Sequence, residues 1–217
     1  MAMIKILITS GGTREAIDEV RFISNVSTGG TGAALANAFA ARGHQVTLLR
    51  GQASVAPDAT CQCEFFSSAE DLQARLKRQL SETCYDAVLM CAAVADYRPD
   101  ALVSGKIRSD ANELILRLVR TPKILPQIKG WRTPAPLVIG FKLTVSASAA
   151  QQEAAVNAQF ASGGVDAVVQ NDLTEINKAQ VHPFNLYRAP GRSERLYGSS
   201  NLAQTLAALI EVGGARS

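Results

Sequence analysis

The chain has 217 residues, of which 47% are hydrophobic and 19% charged, and it carries a net charge of +3. This length suits one α/β domain over residues 1–217, and a small positive charge without a run of Lys or Arg argues against a nucleic-acid partner. No segment approaches the ~20 consecutive apolar residues of a membrane span, no signal peptide precedes the first predicted strand, and the four Cys are not spaced as zinc ligands. We therefore expect a cytoplasmic protein with free thiols, with no membrane partner and no metal site built from its own side chains.

The first predicted elements form a strand–helix–strand unit. Residues 4–9 are mostly apolar or β-branched and predict a buried parallel strand, an Ala-rich helix follows over residues 29–42, and a second strand follows over residues 46–49. Residues 10–28 predict a long irregular loop, and loops of this length in compact domains are often functional. Glycines at both ends of the loop expose backbone N–H groups next to a helix N-terminus, an arrangement that favours phosphate. These glycines are Gly11, Gly12, Gly29, Gly30 and Gly32.

The middle of the chain predicts a helix, a strand and a polar loop. A serine N-cap at residue 67 or 68 begins a helix that runs to about residue 82, and an apolar strand follows over residues 86–91. Residues 98–112 are polar and predict a mobile loop that carries basic side chains. The alternation of apolar and polar residues over 113–119 predicts a half-exposed strand.

The C-terminal half alternates helices and strands. In chain order the predicted elements are a short helix over residues 122–130, a strand over 137–141, a helix over 148–160 with Ser148 as N-cap, a strand over 165–170, a hairpin of 184–188 with 195–197, and a helix over 201–212. The whole order predicts an α/β fold: a Rossmann-like three-layer sandwich with a mostly parallel central sheet and a small C-terminal hairpin or dimerisation extension.

Small, polar or charged residues follow four of the predicted strands. The carboxyl ends of parallel strands lie at one edge of an open sheet, and ligands bind in the crevice at that edge. We therefore expect these four segments to line a shared cleft. They are residues 11–12, 92–96, 140–142 and 171–172.

The glycine spacing argues against a plain dinucleotide fingerprint. A G-x-G-x-x-G directly after the first strand is missing, and no acidic residue follows the second strand to bind a ribose 2′-hydroxyl. Arg50 directly follows the second strand, and its guanidinium can bind a 2′-phosphate, so the sequence leaves NADP binding open as an alternative.

Six sequence motifs resemble those of the phosphopantothenoylcysteine synthetase family, also called phosphopantothenate–cysteine ligase. The motifs are TSGGTREAIDEVRFISNVSTGGTG, CAAVADYRP, GKIR, VRTPKIL, GFKL and QNDLT, in the family's order and over nearly the whole chain. The R-x-I-S-N-x-S-T-G and A-V-A-D-Y elements are not general features of Rossmann folds. The layout is similar to that of free-standing bacterial members, which lack a fused decarboxylase domain.

The resemblance implies a ligase of coenzyme A biosynthesis. In this family a nucleoside triphosphate, CTP in most bacterial members, activates 4′-phosphopantothenate as an acyl-cytidylate and releases pyrophosphate. The amine of cysteine then attacks the acyl carbon and displaces CMP. The resemblance also implies Mg²⁺ on the phosphates and a homodimer.

The resemblance assigns roles to individual residues. Asn25 matches the catalytic residue that contacts the acyl intermediate, Lys106 matches the flap lysine that stabilises it, and Arg21 matches an arginine that reaches the neighbouring subunit's substrate. Ala92, Ala93 and Asp96 match family positions at the phosphopantothenate and nucleotide pocket. The family's contacts to the nucleotide phosphates correspond to Ser27, Gly29, Gly32 and either Gly11 or Gly12. Its contacts to the base correspond to Pro122 and Phe141, and Asn171 corresponds to a further nucleotide contact.

The chain departs from the family at the triphosphate. Gly30 replaces the lysine of the family's G-K-M-G element, and no Lys or Arg lies between Lys142 and Lys178, where the family carries phosphate-binding lysines. We assign Lys142 to the nucleotide site as a partial replacement. Two alternatives stay open. One is a divergent relative that binds another nucleotide or NADP, as an oxidoreductase or a ligand-binding protein, and the other is a non-catalytic partner in a dimer.

Overall fold

The computed structural model describes residues 3–214. Its strands are β1 (Lys5–Ser10), β2 (Arg14–Ala16), β3 (Phe22–Ser24), β4 (Gln45–Gly51), β5 (Gln62–Phe66), β6 (Ala87–Met90), β7 (Tyr97–Pro99), β8 (Leu118–Arg120), β9 (Leu137–Thr144), β10 (Ala167–Asp172), β11 (Pro183–Ala189) and β12 (Arg192–Tyr197). Its α-helices are α1 (Gly30–Ala40), α2 (Ala69–Glu82), α3 (Ala149–Ala161), α4 (Leu173–Lys178) and α5 (Ser199–Gly214), and a 3₁₀ helix covers Leu125–Trp131. Within this part of the chain, no helix combines the length and the apolar character needed to cross a membrane.

In the described part of the chain, eight strands form the central sheet, in the order β12-β11-β10-β9-β6-β1-β4-β5. The strands from β10 to β5 run parallel to their neighbours, whereas β11 and β12 are antiparallel. The predicted C-terminal hairpin is therefore present, and it lengthens the main sheet because β11 pairs with β10. The prediction of a mostly parallel α/β sandwich is confirmed.

The strand order reverses at β1. From β1 the chain crosses to β4 and β5 on one side and then returns to β6 on the other side. A reversal of this kind leaves a crevice at the carboxyl ends of the two adjacent strands, and open α/β sheets bind their ligands there. The fold thus favours a site at the ends of β1 and β6.

Helices cover both faces of the sheet. Ile6 and Ile8 of β1 lie in one core cluster with residues of α1 and α5, whereas Leu7 lies in another with residues of α2 and the 3₁₀ helix. Successive side chains of a strand point to opposite faces, so a strand that is covered on both sides is apolar throughout. α3 packs over β10 through Val156 and Val168.

Serine caps begin two of the predicted helices. Ser68 accepts a hydrogen bond from the backbone of Asp71 at the start of α2, and Ser148 forms a capping box with Gln151 at the start of α3. In each case a side-chain oxygen satisfies a backbone N–H that has no partner within the helix. Both predicted starts are confirmed.

Several local predictions differ from the structure. Residues 10–28 are not wholly irregular, because β2 and β3 form an antiparallel hairpin within them. The strand predicted over 113–119 is wrong for most of its length: only Leu118–Arg120 pairs, with β7, and Ile115 is 83% exposed. Neither β5, an edge strand, nor α4, which has six residues, is among the predicted elements.

Candidate functional site

Backbone hydrogen bonds join the ends of β1 and β6 just beyond the sheet. Gly12 and Ala93 form a parallel bridge. The Ala93 N–H donates to the Gly11 carbonyl at 2.8 Å, and the Thr13 N–H donates to the Ala93 carbonyl at 3.2 Å. The Ala92 N–H donates to the Thr9 hydroxyl at 3.1 Å. The glycine pair and the alanine pair predicted from separate motifs therefore lie side by side.

Close packing explains the glycines around this junction. Gly11 and Gly29 have φ angles of +83° and +74°, which side chains rarely adopt. A Cβ on Gly29 would lie 2.6 Å from the Ser10 hydroxyl oxygen, and a Cβ on Gly32 would lie 2.6 Å from the Ser10 Cβ. The start of α1 thus packs directly on the end of β1. This contact brings the positive end of the α1 dipole to the crevice, where the Gly30 N–H donates to the Thr28 hydroxyl at 3.2 Å.

Gly30 is the exception among these glycines. A Cβ there would meet only the Thr28 hydroxyl oxygen, at 3.4 Å, and the position has no positive φ. It therefore has room for a side chain. The predicted phosphate contact Ser27 is half-buried in the same loop.

Asn25 lies over the junction of the two strand ends. Its Nδ2 donates to the Val94 carbonyl at 3.2 Å. The backbone carbonyl oxygen of Asn25 would lie 2.8 Å from a Cβ on Gly12. The side chain is exposed, so the amide is accessible to a ligand. An amide donor in this position can stabilise negative charge on an oxygen atom.

The segment after β6 is tied to the segment after β8. The Thr121 N–H donates to the Asp96 carbonyl at 3.0 Å, and the Thr121 hydroxyl donates to the Ala95 carbonyl at 2.5 Å. Lys123, which is not among the residues predicted from the sequence although it directly follows Pro122, forms an ion pair with Asp96. Both side chains are mostly exposed, and such pairs contribute little to stability, so a ligand can replace either partner.

Arg21 lies in the turn between β2 and β3, and its guanidinium is bound within the chain. Its Nη1 donates to Asp18 Oδ2 at 2.6 Å and to the Ile107 carbonyl at 3.1 Å. Asp18 is buried and is not among the residues predicted from the sequence. Burial acts to raise the pKa of its carboxyl, but N–H donors from Val20, Ile107 and Arg21 outweigh burial and bring the pKa to about 2. The contact with Ile107 places the loop of Lys106 beside Arg21.

Three of the residues predicted at the nucleotide, Phe141, Lys142 and Asn171, lie on β9 and β10, whereas Pro122 lies in the segment after β8. Phe141 packs partly into the core that faces α1 and α5, so Lys142, as the next residue of β9, points to the opposite face. Asn171 Nδ2 lies 3.0 Å from Nε2 of His182, a residue that the sequence does not predict. Burial lowers the pKa of His182.

The predicted residues fall into neighbouring groups. One group meets at the ends of β1 and β6: Gly11, Gly12, Asn25, Gly29, Gly32, Ala92 and Ala93. Arg21 and Lys106 lie together beside the β2–β3 turn. Phe141, Lys142 and Asn171 lie on β9 and β10, next to β6.

Two surface depressions can be compared with this site. The larger, of about 730 Å³, lies between β5 and α2 at the far edge of the sheet. Its Glu64 carboxylate forms ion pairs with Arg75 and Arg78, so these three side chains are engaged with one another. The smaller, of about 390 Å³, is lined by residues 106–110 and belongs to the Lys106 loop.

The chain is similar to proteins of coenzyme A biosynthesis. Residues 1–210 match the family model of the DNA/pantothenate metabolism flavoprotein C-terminal domain. The coenzyme A biosynthesis bifunctional protein CoaBC of Thermococcus kodakarensis is 37% identical over 169 residues, which are 78% of this chain and 41% of that protein. The chain therefore spans about two fifths of the length of the curated relatives it matches.

Two solved structures resemble almost the entire chain. The DNA/pantothenate metabolism flavoprotein from Streptococcus pneumoniae has a TM-score of 0.86 and 26% identity, with 96% of this chain and 99% of that chain covered. The C-terminal domain of CoaBC has a TM-score of 0.77 and 27% identity, with 99% and 97% covered. These similarities agree with the fold and with the sequence motifs that resemble phosphopantothenoylcysteine synthetases. The chain therefore belongs to the DNA/pantothenate metabolism flavoprotein C-terminal domain family.

Proposed function

We propose that the chain, as a single domain, is a phosphopantothenate–cysteine ligase, which joins 4′-phosphopantothenate and L-cysteine through an acyl-nucleotide formed from CTP. Relatives named for coenzyme A biosynthesis support this step. The observation that carries the proposal is the exposed amide of Asn25 at the junction of β1 and β6, next to the N-terminus of α1. A reaction through an acyl-nucleotide needs a phosphate site and an oxyanion donor in adjacent positions.

The nucleotide half of the site relies on backbone groups. The first turn of α1 supplies N–H donors and the positive end of the helix dipole for the phosphates. Lys142 lies near the carboxyl end of β9 on the face opposite to α1, so its positive charge would reach phosphate groups that extend across the strand ends. Phe141 presents a ring on which the base stacks, and Pro122 and Asn171 complete the contacts.

The acyl half of the site relies on side-chain donors. Negative charge develops on the acyl oxygen when the cysteine amine attacks, and the Asn25 amide donates to that oxygen. Lys106 adds a positive charge from the neighbouring loop. The small side chains of Ala92 and Ala93 leave space for the pantothenoyl chain. Nε and Nη2 of Arg21 have no hydrogen-bond partner within residues 3–214, so they are available to an anionic substrate.

Mg²⁺ fits this site as a companion of the nucleotide. The described residues contain no cluster of three or more His, Cys, Asp or Glu that would hold a metal by itself. Mg²⁺ in nucleotide sites takes most of its ligands from phosphate and water and needs only one or two carboxylates. The Asp96 side chain is 66% exposed at the end of its segment and would supply one such oxygen. The ion, when bound, neutralises part of the phosphate charge.

We also propose that the protein is a homodimer. The β2–β3 hairpin exposes Val20 and Phe22, and the neighbouring strand β8 and the loop after β7 expose Leu118 and Leu102. Contiguous exposed apolar surface marks protein interfaces. Arg21 lies between two of these residues, so a second copy on this surface brings Arg21 close to the partner's substrate.

Release of pyrophosphate tests the proposed function. With CTP, 4′-phosphopantothenate and cysteine together, we expect equal amounts of pyrophosphate, CMP and the condensed product. No pyrophosphate at high enzyme concentration would contradict the ligase proposal.

Binding of NADPH would favour the alternative function. The Arg50 guanidinium, the expected 2′-phosphate ligand, donates to the Ser54 carbonyl and lies 4.9 Å from the centroid of the Phe65 ring. It is therefore engaged within the chain. A rise in melting temperature with NADPH but not with CTP would favour an NADP-binding protein over the ligase, because a ligand stabilises only a protein that binds it.

Gly30→Lys is expected to tighten binding of the nucleotide. The position has room for a side chain, and it lies at the N-terminus of α1, where the phosphates bind in the proposed site. A charge-assisted hydrogen bond contributes about 1.5–3 kcal/mol, so the KM for CTP should fall by about tenfold to a hundredfold. Gly30→Gln, of similar length without the charge, is the control. Equal KM values in the two variants would show that the triphosphate lies elsewhere.

A further inference from the structure

We infer that Asp18 is a positioning residue, which holds the Lys106 loop (residues 103–110) against the β2–β3 turn (residues 17–21). The role in catalysis rests on the proposed function, since Lys106 is the residue whose position matters there. The anchoring itself follows from the geometry alone.

Three positions of the Lys106 loop bond to the β2–β3 turn. The Val103 N–H donates to the Ile17 carbonyl at 3.1 Å, and the Glu19 N–H donates to the Gly105 carbonyl at 3.2 Å. The Gly105 N–H in turn donates a hydrogen bond to Glu19 Oε1 at 3.0 Å. The third position is Ile107, so Lys106 lies between two anchored residues.

Asp18 and Arg21 hold the backbone of Ile107 through both of its polar groups. The Ile107 N–H donates to Asp18 Oδ2 at 3.1 Å, and the Ile107 carbonyl accepts from Arg21 Nη1 at 3.1 Å. Asp18 Oδ2 also accepts from Arg21 Nη1 at 2.6 Å, so the ion pair and the loop form one unit.

The other oxygen of Asp18 fixes the turn itself. Asp18 Oδ1 accepts from the Val20 N–H at 2.9 Å and from the Arg21 N–H at 2.7 Å. One buried carboxylate thus takes four hydrogen bonds from two segments that are distant in sequence. Four donors converge on this position, so only an ionised acid satisfies all of them.

The rest of the Lys106 loop has little to hold it. Ser104, Lys106, Arg108, Ser109 and Asp110 are all exposed, and Arg108 pairs only with Asp110 within the loop. A surface loop with few buried contacts opens readily when its hydrogen bonds are removed. We therefore assign the position of Lys106 to the contacts made through Asp18 and Glu19.

Asp18→Asn tests the inference, because the amide presents N–H groups to donors that need an acceptor. Trypsin cleavage after Lys106 and Arg108 should become about tenfold faster than in the wild type, because the loop opens more often. The kcat of the ligase should fall by about tenfold to a hundredfold from misplacement of Lys106, while the KM for CTP stays within about twofold. Circular dichroism confirms that the variant is folded.

Glu19→Gln is the matched control, since it removes a charge from the same turn but keeps an oxygen that accepts from Gly105. Ile107→Pro is a second probe, because it removes the N–H that Asp18 binds and leaves the residues of the turn unchanged. Trypsin does not cleave before proline, so cleavage in this variant is measured after Arg108. Faster cleavage after Arg108 in Asp18→Asn and Ile107→Pro but not in Glu19→Gln confirms the anchoring. Equal cleavage rates in all variants and the wild type overturn it. Faster cleavage in a protein that releases no pyrophosphate overturns the proposed function while it confirms that Asp18 anchors the loop.

Discussion

Lys106→Gln is expected to reduce kcat of the ligase by at least about a hundredfold, the typical loss when one donor to a developing oxyanion is removed. Lys106 is exposed and makes no ion pair with residues 3–214. Its charge is therefore free for a ligand, and its removal leaves no unpaired partner in the fold. The circular dichroism spectrum and the melting temperature should stay those of the wild type. Steady-state pyrophosphate release with all three substrates measures the loss.

Binding of CTP separates this result from a general weakening of the site. The proposed phosphate site lies at the N-terminus of α1, so the thermal shift with CTP alone should remain in Lys106→Gln. Arg117→Gln is the matched control, because Arg117 is exposed and, among residues 3–214, forms an ion pair with Asp100 alone. If Lys106→Gln and Arg117→Gln lose activity to the same small extent, the Lys106 loop takes no part in the reaction.

The sheet and its main helices were predictable because their signals are local. β1 is apolar on both faces, and Ser68 and Ser148 cap helices that begin one residue later. A buried parallel strand and a capped helix each carry this pattern within a few residues. The mostly parallel sheet followed from the alternation of these elements, whereas the order of its strands is known only from the structure.

The missed elements depend on partners that are distant in sequence. β5 contains Gln62 and Glu64 beside buried Phe66, and it is a strand because β4 offers a free edge. Residues 113–117 alternate like a strand but find no such edge, so Ile115 stays exposed. Hydropathy alone does not distinguish these two cases, because the pattern of a half-exposed strand is weak.

At the candidate site, the close packing around the glycines was predictable from the sequence, whereas the buried carboxylate of Asp18 was not. Glycines at a strand end and a helix start indicate close backbone approach, and the structure has that approach between Gly32 and Ser10. Asp18 looks like an ordinary turn residue in sequence, since its bonds to Val20 and Arg21 are local. The contact that gives it a further role joins it to Ile107, which is 89 residues away. Only the tertiary structure contains that information.

Asn25→Asp is expected to stop the second half of the reaction while the first half continues. The Asn25 Nδ2 donates to the Val94 carbonyl at 3.2 Å, and a carboxylate has no N–H for that bond. The new charge also faces the acyl oxygen in the proposed site, where negative charge develops during attack by cysteine. Loss of a donor costs about a hundredfold to a thousandfold in kcat, and a repelling charge adds to this loss.

The two half-reactions can be measured separately. With CTP and 4′-phosphopantothenate alone, Asn25→Asp should release about one equivalent of pyrophosphate per active site and retain the acyl-nucleotide, because the activation step precedes the step that needs the amide. Addition of cysteine should then give little CMP. Asn201→Asp, an equivalent change at an exposed position in the first turn of α5, controls for the added charge, and it should behave as the wild type because acidic residues are favourable near a helix N-terminus. Turnover of Asn25→Asp at the wild-type rate would remove Asn25 from the mechanism, and loss of the initial pyrophosphate would instead place its amide in the activation step.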